Sequence, residues 1–204
     1  MNEELSIPIL LHVCCAPCSG VVIERLREKG FLPTIFFYNP NIYPFPEYLA
    51  RKACLRSYIH RIGLPFVDAD HDTSIWEDRV QGLEHEPERG KRCTACFDLR
   101  LEHTADFAYQ HGFSLFATTN GFSRWKDLDQ VNSCGRRAAL RHPGLGFLET
   151  NWRKDNGNLR GSEISRKEGF YEQKYCGCRF SMQRRTNKKG PSDDGPSSTA
   201  TSVA

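Results

Sequence analysis

Short apolar runs alternate with stretches of helical periodicity along most of this chain, and no other feature limits the fold as much. The runs are Ile7–Val13, Thr34–Tyr38, Leu64–Val67, Phe113–Thr118 and Gly146–Glu149. Between them lie helical patterns. Ser19–Lys29 is stopped by Gly30, and Pro46–Ile62 carries proline in its first turn. Ser74–Gln81 is followed by a helix from Cys93 to about His111, with Phe97, Leu101, Ala105 and Ala108 at helical spacing and Gly112 as its stop. Lys126–Leu140 and, after the last run, Glu163–Lys174 complete the series. This order predicts an α/β protein: a Rossmann-like (HUP-like), doubly wound, mainly parallel five-stranded sheet with helices on both faces and right-handed connections. Ligands of such sheets bind beyond the carboxyl ends of the strands, where the strand order reverses. Cys14, Cys15 and Cys18 follow the first run, and Thr118–Gly121 follow the fourth.

A chain of 204 residues favours one such domain. We expect it over residues 1–182. Residues 183–204 read as a disordered tail, basic first (Arg184, Arg185, Lys188, Lys189) and then rich in Ser, Pro and Gly. The apolar fraction of 39% suffices for a core and excludes collagen, coiled coil and wholesale disorder. A net charge of +3 is far short of a general nucleic-acid coat. The first apolar run is broken by Pro8 and His12 and is too short for a signal peptide or a membrane span, so a cytoplasmic location is expected.

Nine cysteines, seven of them in three tight groups, point to the chemistry. An odd number at these spacings does not suit a secreted disulfide framework. Cys14-Cys15-Ala16-Pro17-Cys18 sits between a strand and a helix, where the helix N-terminus favours a thiolate. Taken alone it resembles a thioredoxin-like pair, Cys15 and Cys18, but Cys14 does not fit that scheme. Cys93-Thr94-Ala95-Cys96 opens a helix beside Arg89, Lys91 and Arg92. Two helix-opening groups can supply four sulfurs to one centre, structural zinc or iron–sulfur, and composition does not choose between them. The pairs are too far apart for a zinc ribbon. Cys176-Gly177-Cys178 can close into a strained and therefore labile disulfide, or supply extra ligands. Cys54 and Cys134 read as buried free thiols, and His12 as a satisfied core residue.

Two segments interleave tryptophan with cations: Arg124-Trp125-Lys126 and Asn151-Trp152-Arg153-Lys154. Stacking plus phosphate neutralisation suits looped RNA. Either segment alone reads better as a packed Trp beside solvated charge; the two on one edge make RNA contact an equal reading.

The ordered set HVCCAPCSG (12–20), FFYNPNIYP (36–44), ERGKRCTACFDLRLEHTA (88–105), TTNGFSRWKD (118–127), NWRK (151–154) and YCGC (175–178) resembles the QueH-type epoxyqueuosine reductases, which act on tRNA in the last step of queuosine synthesis. The likeness runs from about residue 9 to 182. It implies a 4Fe-4S cluster held by Cys14, Cys15, Cys93 and Cys96, and a redox-active pair at Cys176 and Cys178. It implies in addition a mononuclear iron beside the cluster, for which Cys18 is the nearest spare thiol. The partner it implies is tRNA carrying epoxyqueuosine, with an unidentified external electron donor. Asn120 stands where the family pattern more often has an apolar residue, which bears on the substrate pocket. Two other classes compete: a thiol–disulfide oxidoreductase, which leaves Cys14 and both later pairs unused, and a zinc-stabilised RNA-binding module, which leaves the Cys-Gly-Cys pair unexplained.

Overall fold

A computed structural model describes residues 6–69 and 72–188, with side chains as far as Gln183. Its strands are β1 (Ile7–His12), β2 (Phe31–Phe37), β3 (Phe66–Asp68), β4 (Leu115–Thr118) and β5 (Gly146–Phe147). They form one sheet in the order β3-β2-β1-β4-β5, every pair parallel. The order turns back at β1: the chain first builds outward through β2 and β3, then returns to place β4 on the other side. The expected doubly wound α/β architecture is therefore present. Its register sets His12 beside Thr118 and Phe36.

Helices α1 (Ala16–Glu28), α2 (Phe45–Arg61) and α6 (Gly157–Glu168) lie on one face. There Ile9, Leu11, Ile35 and Phe37 from the sheet pack against Val22, Leu26, Leu55 and Ile164. Helices α4 (Lys91–Gln110) and α5 (Leu128–Ala139) cover the other face. There Leu10, Phe36 and Phe116 meet Leu101, Ala105 and Val131. Covering both faces is why the strands are apolar nearly throughout. Helix α3 (Thr73–Val80) packs on α4, and α7 (Arg179–Lys188) follows the last cysteine pair. No helix among the described residues is long and apolar enough to cross a membrane.

Several boundaries differ from the sequence reading for local reasons. Helix α1 starts at Ala16, because Cys15 is its N-cap and Pro17 sits in its first turn. The helix expected over 163–174 runs instead from 157 and stops at Gly169, whose φ of 63° is the left-handed cap that ends helices. Asp127 caps α5 by accepting a bond from the Gln130 amide at 2.8 Å, which moves its start to Leu128. Helix α7 continues to Lys188, past position 183 where the tail was expected to begin; residues 189–204 of that tail lie outside the described residues.

Candidate active site

The β1–α1 junction carries Cys14, Cys15 and Cys18, all buried, with their sulfur atoms within 4.8 Å of one another. Cys14 Sγ and Cys15 Sγ are 3.7 Å apart. Gln173 donates to Cys15 Sγ at 3.0 Å from the chain that follows α6. Lys126, only 4% exposed, donates from Nζ to Asn120 Oδ1 at 2.8 Å and to Cys14 Sγ at 3.7 Å. Bonds from the Cys15 and Cys18 thiols, then the Lys126 and Arg100 charges, hold Cys14 well below the usual thiol range. Cys15 moves the opposite way, to about 12, chiefly through its bond to Cys14, and Cys18 is raised as well. The surroundings thus favour the ionised form at Cys14, beside the ammonium group, over Cys15 and Cys18.

Behind the triad lies a second layer. His12 Nε2 donates to Tyr38 O at 3.1 Å, while Nδ1 accepts from the Thr118 hydroxyl at 2.9 Å. Arg100 Nη2 donates to Asn39 Oδ1 at 2.6 Å and stands 3.3 Å from His12 Nε2 as a charge facing a neutral ring. Burial first, and Arg100 second, push the His12 pKa down to about 3. His12 is thus the satisfied core residue that the sequence suggested.

The other two pairs meet across a narrow neighbouring hollow. Cys93 and Cys96, on the first turns of α4, line it together with Cys176, Cys178, Lys126 and Arg100. Burial raises the Cys93 thiol to about 12 despite its place at a helix start and the Arg89 amide donating to its sulfur at 3.2 Å. The thiolate expected there from the helix N-terminus is therefore not favoured by these surroundings: desolvation outweighs the dipole. Burial raises Cys176 too, against the Lys126 charge. Lys126 belongs to both groups, touching Cys14 and lining the cavity. Among the described residues the three-sulfur set within 4.8 Å contains Cys18 and neither Cys93 nor Cys96. All nine cysteines are unpaired.

The Cys176-Gly177-Cys178 loop is clamped through its carbonyl groups. Arg51, 1% exposed, donates to Tyr175 O and Cys176 O at 3.1 Å each. The Tyr43 amide holds Gly177 O at 2.8 Å, and the Ser181 hydroxyl holds Cys178 O at 2.8 Å. Gly177 has φ of 137°, a conformation that L side chains rarely adopt, which is why glycine stands there. Glu47 fixes Arg51 with a 2.8 Å bond to Nε, and Tyr171 donates to the same carboxylate at 2.5 Å. Sequence reading missed Arg51, Arg100 and Gln173. For two of them a signal existed: Arg51 interrupts the buried stripe Tyr48, Leu55, Ile59, and Arg100 the stripe Phe97, Leu101, Thr104. An arginine on the core-facing side of a helix requires buried partners.

The expected RNA contacts separate into two sets. Trp152 is a correction: it is 1% exposed, packed in the core, and its Nε1 donates to Thr118 O at 3.2 Å, so no ring face is available for stacking. Lys126 is a correction for the same reason, since its ammonium is buried against sulfur and amide groups. Arg124 is exposed, with its guanidinium 5.4 Å from the centre of the half-buried Trp125 ring. Arg153 is half-buried and Lys154 exposed.

A family model described as Epoxyqueuosine reductase QueH matches residues 9–184. The chain belongs to this family. QueH proteins similar to it include those of Haemophilus influenzae, 49% identical over 92% of this chain and 78% of its own length, and Histophilus somni, 51% identical over 88% and 74%. The Thermotoga maritima QueH is 33% identical over 88% of this chain and 93% of its own. Among solved structures, the fold is shared with the U34-tRNA thiolase NcsA from Methanococcus maripaludis with its [4Fe-4S] cluster, at a TM-score of 0.53 and 11% identity, covering 94% of this chain and 70% of that one. A predicted subunit of tRNA methyltransferase from Methanocaldococcus jannaschii matches with a TM-score of 0.50 and 16% identity over 76% and 75% of the two chains. In this QueH-family chain the buried cysteine triad is a set of soft donors able to bind a metal.

Proposed function

We propose that this chain reduces epoxyqueuosine to queuosine at the wobble position of tRNA, breaking both C–O bonds of an epoxide and leaving an alkene. One observation carries the reading beyond family membership: buried thiols stand beside buried cations that lack a carboxylate. Among the described residues, Lys126 Nζ bonds Asn120 Oδ1 and Cys14 Sγ, and Arg100 bonds Asn39 and Asn120. Buried cations without an anion are strongly disfavoured, and thiolates are the anions within reach. Several metal-bound thiolates would supply that charge, so the residues fit a sulfur-ligated centre. Cys14, Cys15, Cys93 and Cys96 would hold a 4Fe-4S cluster, and Cys18 an additional mononuclear iron. A cluster of that kind in the thiolase of like fold is in keeping with the reading. When bound, such a centre supplies single electrons and Lewis acidity toward an oxygen atom.

The chain's own groups account for the rest. Cys176 and Cys178 give up two electrons and two protons as their sulfurs join. The epoxide oxygen takes both protons and leaves as water, so the step balances as epoxide plus two thiols going to alkene, water and disulfide. Burial keeps the Cys176 thiol protonated, which places a proton at its Sγ. The Lys126 ammonium stabilises negative charge developing on the departing oxygen. An external reductant must then reopen the disulfide. Arg124, Trp125, Arg153 and Lys154 are the groups to meet the RNA, and a reducing cytoplasm holding tRNA is the matching compartment.

Anaerobic purification followed by nucleoside analysis tests the reading. A brown protein with about four or more irons per chain that converts epoxyqueuosine tRNA to queuosine tRNA supports it. Cys176→Ser should stop turnover and keep the visible absorption. A colourless, zinc-loaded and inactive protein, or normal turnover by the Cys176 variant, overturns it.

A further inference from the structure

Gln173 lies in the chain between α6 and the Cys-Gly-Cys loop, and no step of the proposed reaction uses it. Its amide nitrogen stands 3.0 Å from Cys15 Sγ and 3.9 Å from Cys18 Sγ, so one donor group serves two sulfurs of the triad. Its Oε1 is buried and, among the described residues, has no hydrogen-bond partner.

The position of Gln173 is imposed from both sides. Two residues before it, the Tyr171 amide donates to Cys54 Sγ at 3.3 Å and the Tyr171 hydroxyl donates to Glu47. Two residues after it, the Tyr175 carbonyl accepts from Arg51 at 3.1 Å. Glu47, Arg51 and Cys54 all belong to α2, so that helix carries Gln173 to the sulfurs. A methionine would fill the same space and leave no orphaned acceptor; the side chain kept there is one with an N–H to give. A neutral thiol is a weak acceptor, and a sulfur carrying negative charge is a stronger one. A metal-bound thiolate admits only the N–H end of the amide, which fixes its orientation. Each electron entering a sulfur-ligated centre adds charge to its sulfurs, so a donor aimed at them favours the reduced form over the oxidised one.

We propose that Gln173 is a positioning residue: its amide orients Cys15 and Cys18 and raises the reduction potential of the centre they help to hold. The proposal rests on the reductase reading, which supplies that centre. Lys126 and Arg100 act there as charges, whereas Gln173 acts by a directed bond and leaves the net charge unaltered.

The test is an anaerobic redox titration of the iron-loaded full chain, wild type against Gln173→Met and Gln173→Asn. Methionine matches the length without a donor; asparagine keeps an amide but withdraws it by one methylene. Neither changes the net charge, so a shift reports the lost bond. At a fixed applied potential the ratio of reduced to oxidised centre should fall about three- to tenfold in both, a midpoint lower by about 30–60 mV at about 59 mV per tenfold. Iron content and visible absorption should be kept. A wild-type midpoint in either loaded variant overturns the inference. So does loss of iron from both variants, which would make Gln173 a structural support. Conversion of epoxyqueuosine tRNA by wild type is scored separately and tests the reductase reading. If wild type converts the tRNA and the midpoints coincide, this inference alone falls. If wild type takes up no iron, both fall.

Discussion

Arg51→Lys tests how firmly the Cys-Gly-Cys loop is held. Arg51 makes three charge-assisted bonds, to Glu47 Oε1 at 2.8 Å and to the carbonyls of Tyr175 and Cys176 at 3.1 Å each. Lysine keeps the cation but has a single nitrogen in place of a fork, and cannot reach all three acceptors. Taking the ion pair as retained, two bonds to buried carbonyls are lost, at about 1.5–3 kcal/mol each when the donor is charged. A relaxed ammonium or a water recovers part of this, so a net loss of about 2–3 kcal/mol is expected. For a chain of this size that lowers Tm by roughly 4–12 °C. The assay is thermal unfolding under anaerobic conditions, with hydrogen exchange of the amides from Tyr175 to Met182 followed in parallel. Exchange there should accelerate more than in β1 or α4. A variant within about 1 °C of wild type with unchanged exchange would refute the clamp.

Gly135→Ala places a methyl group 2.4 Å from the Phe147 ring, so the ring or α5 must give way; urea unfolding should show a loss of about 1–3 kcal/mol. His12 titrates at about 3 in the folded chain against 6.5 for an unperturbed side chain, so only the unfolded chain takes up its proton as pH falls from 6.5. Stability is then lost on acidification, by about 2 kcal/mol between pH 7 and pH 5. His12→Gln should lack that component of the slope in denaturant titrations; an unchanged slope would show that His12 is not its source. Cys18→Ala should lower iron by about one per chain and leave a four-iron absorption, while Cys54→Ala changes neither, as read by elemental analysis and visible spectra.

The sheet was legible because its central strands β1, β2 and β4 are covered on both faces and therefore apolar for most of their length, and because Gly30 and Gly112 stop helices in plain view. Glycine at 169 carries the same signal, which helical spacing over 163–174 masks. The cysteines were legible as groups by their spacing, and their gathering at the carboxyl ends of the strands follows from strand order. What spacing cannot show is which thiols touch. Cys18 joins Cys14 and Cys15 because Cys15 caps α1 and the first helical turn brings residue 18 back beside it. The tryptophan motifs misled at Trp152, since a Trp flanked by cations looks alike whether its indole N–H meets solvent or, as here, the Thr118 carbonyl. Arg51 and Arg100 were visible as charges on apolar stripes, but their partners at 175 and 176, and at 39 and 120, are distant in sequence and emerge only when the chain is folded.

The ammonium group of Lys126 has a consequence for anyone who would retune this protein. It touches Cys14 and borders the hollow lined by Cys176 and Cys178, so its position is shared by both groups of sulfur. Replacing it would remove one positive charge from two neighbourhoods at once, and no substitution at this position can alter the surroundings of one group while leaving those of the other as they were.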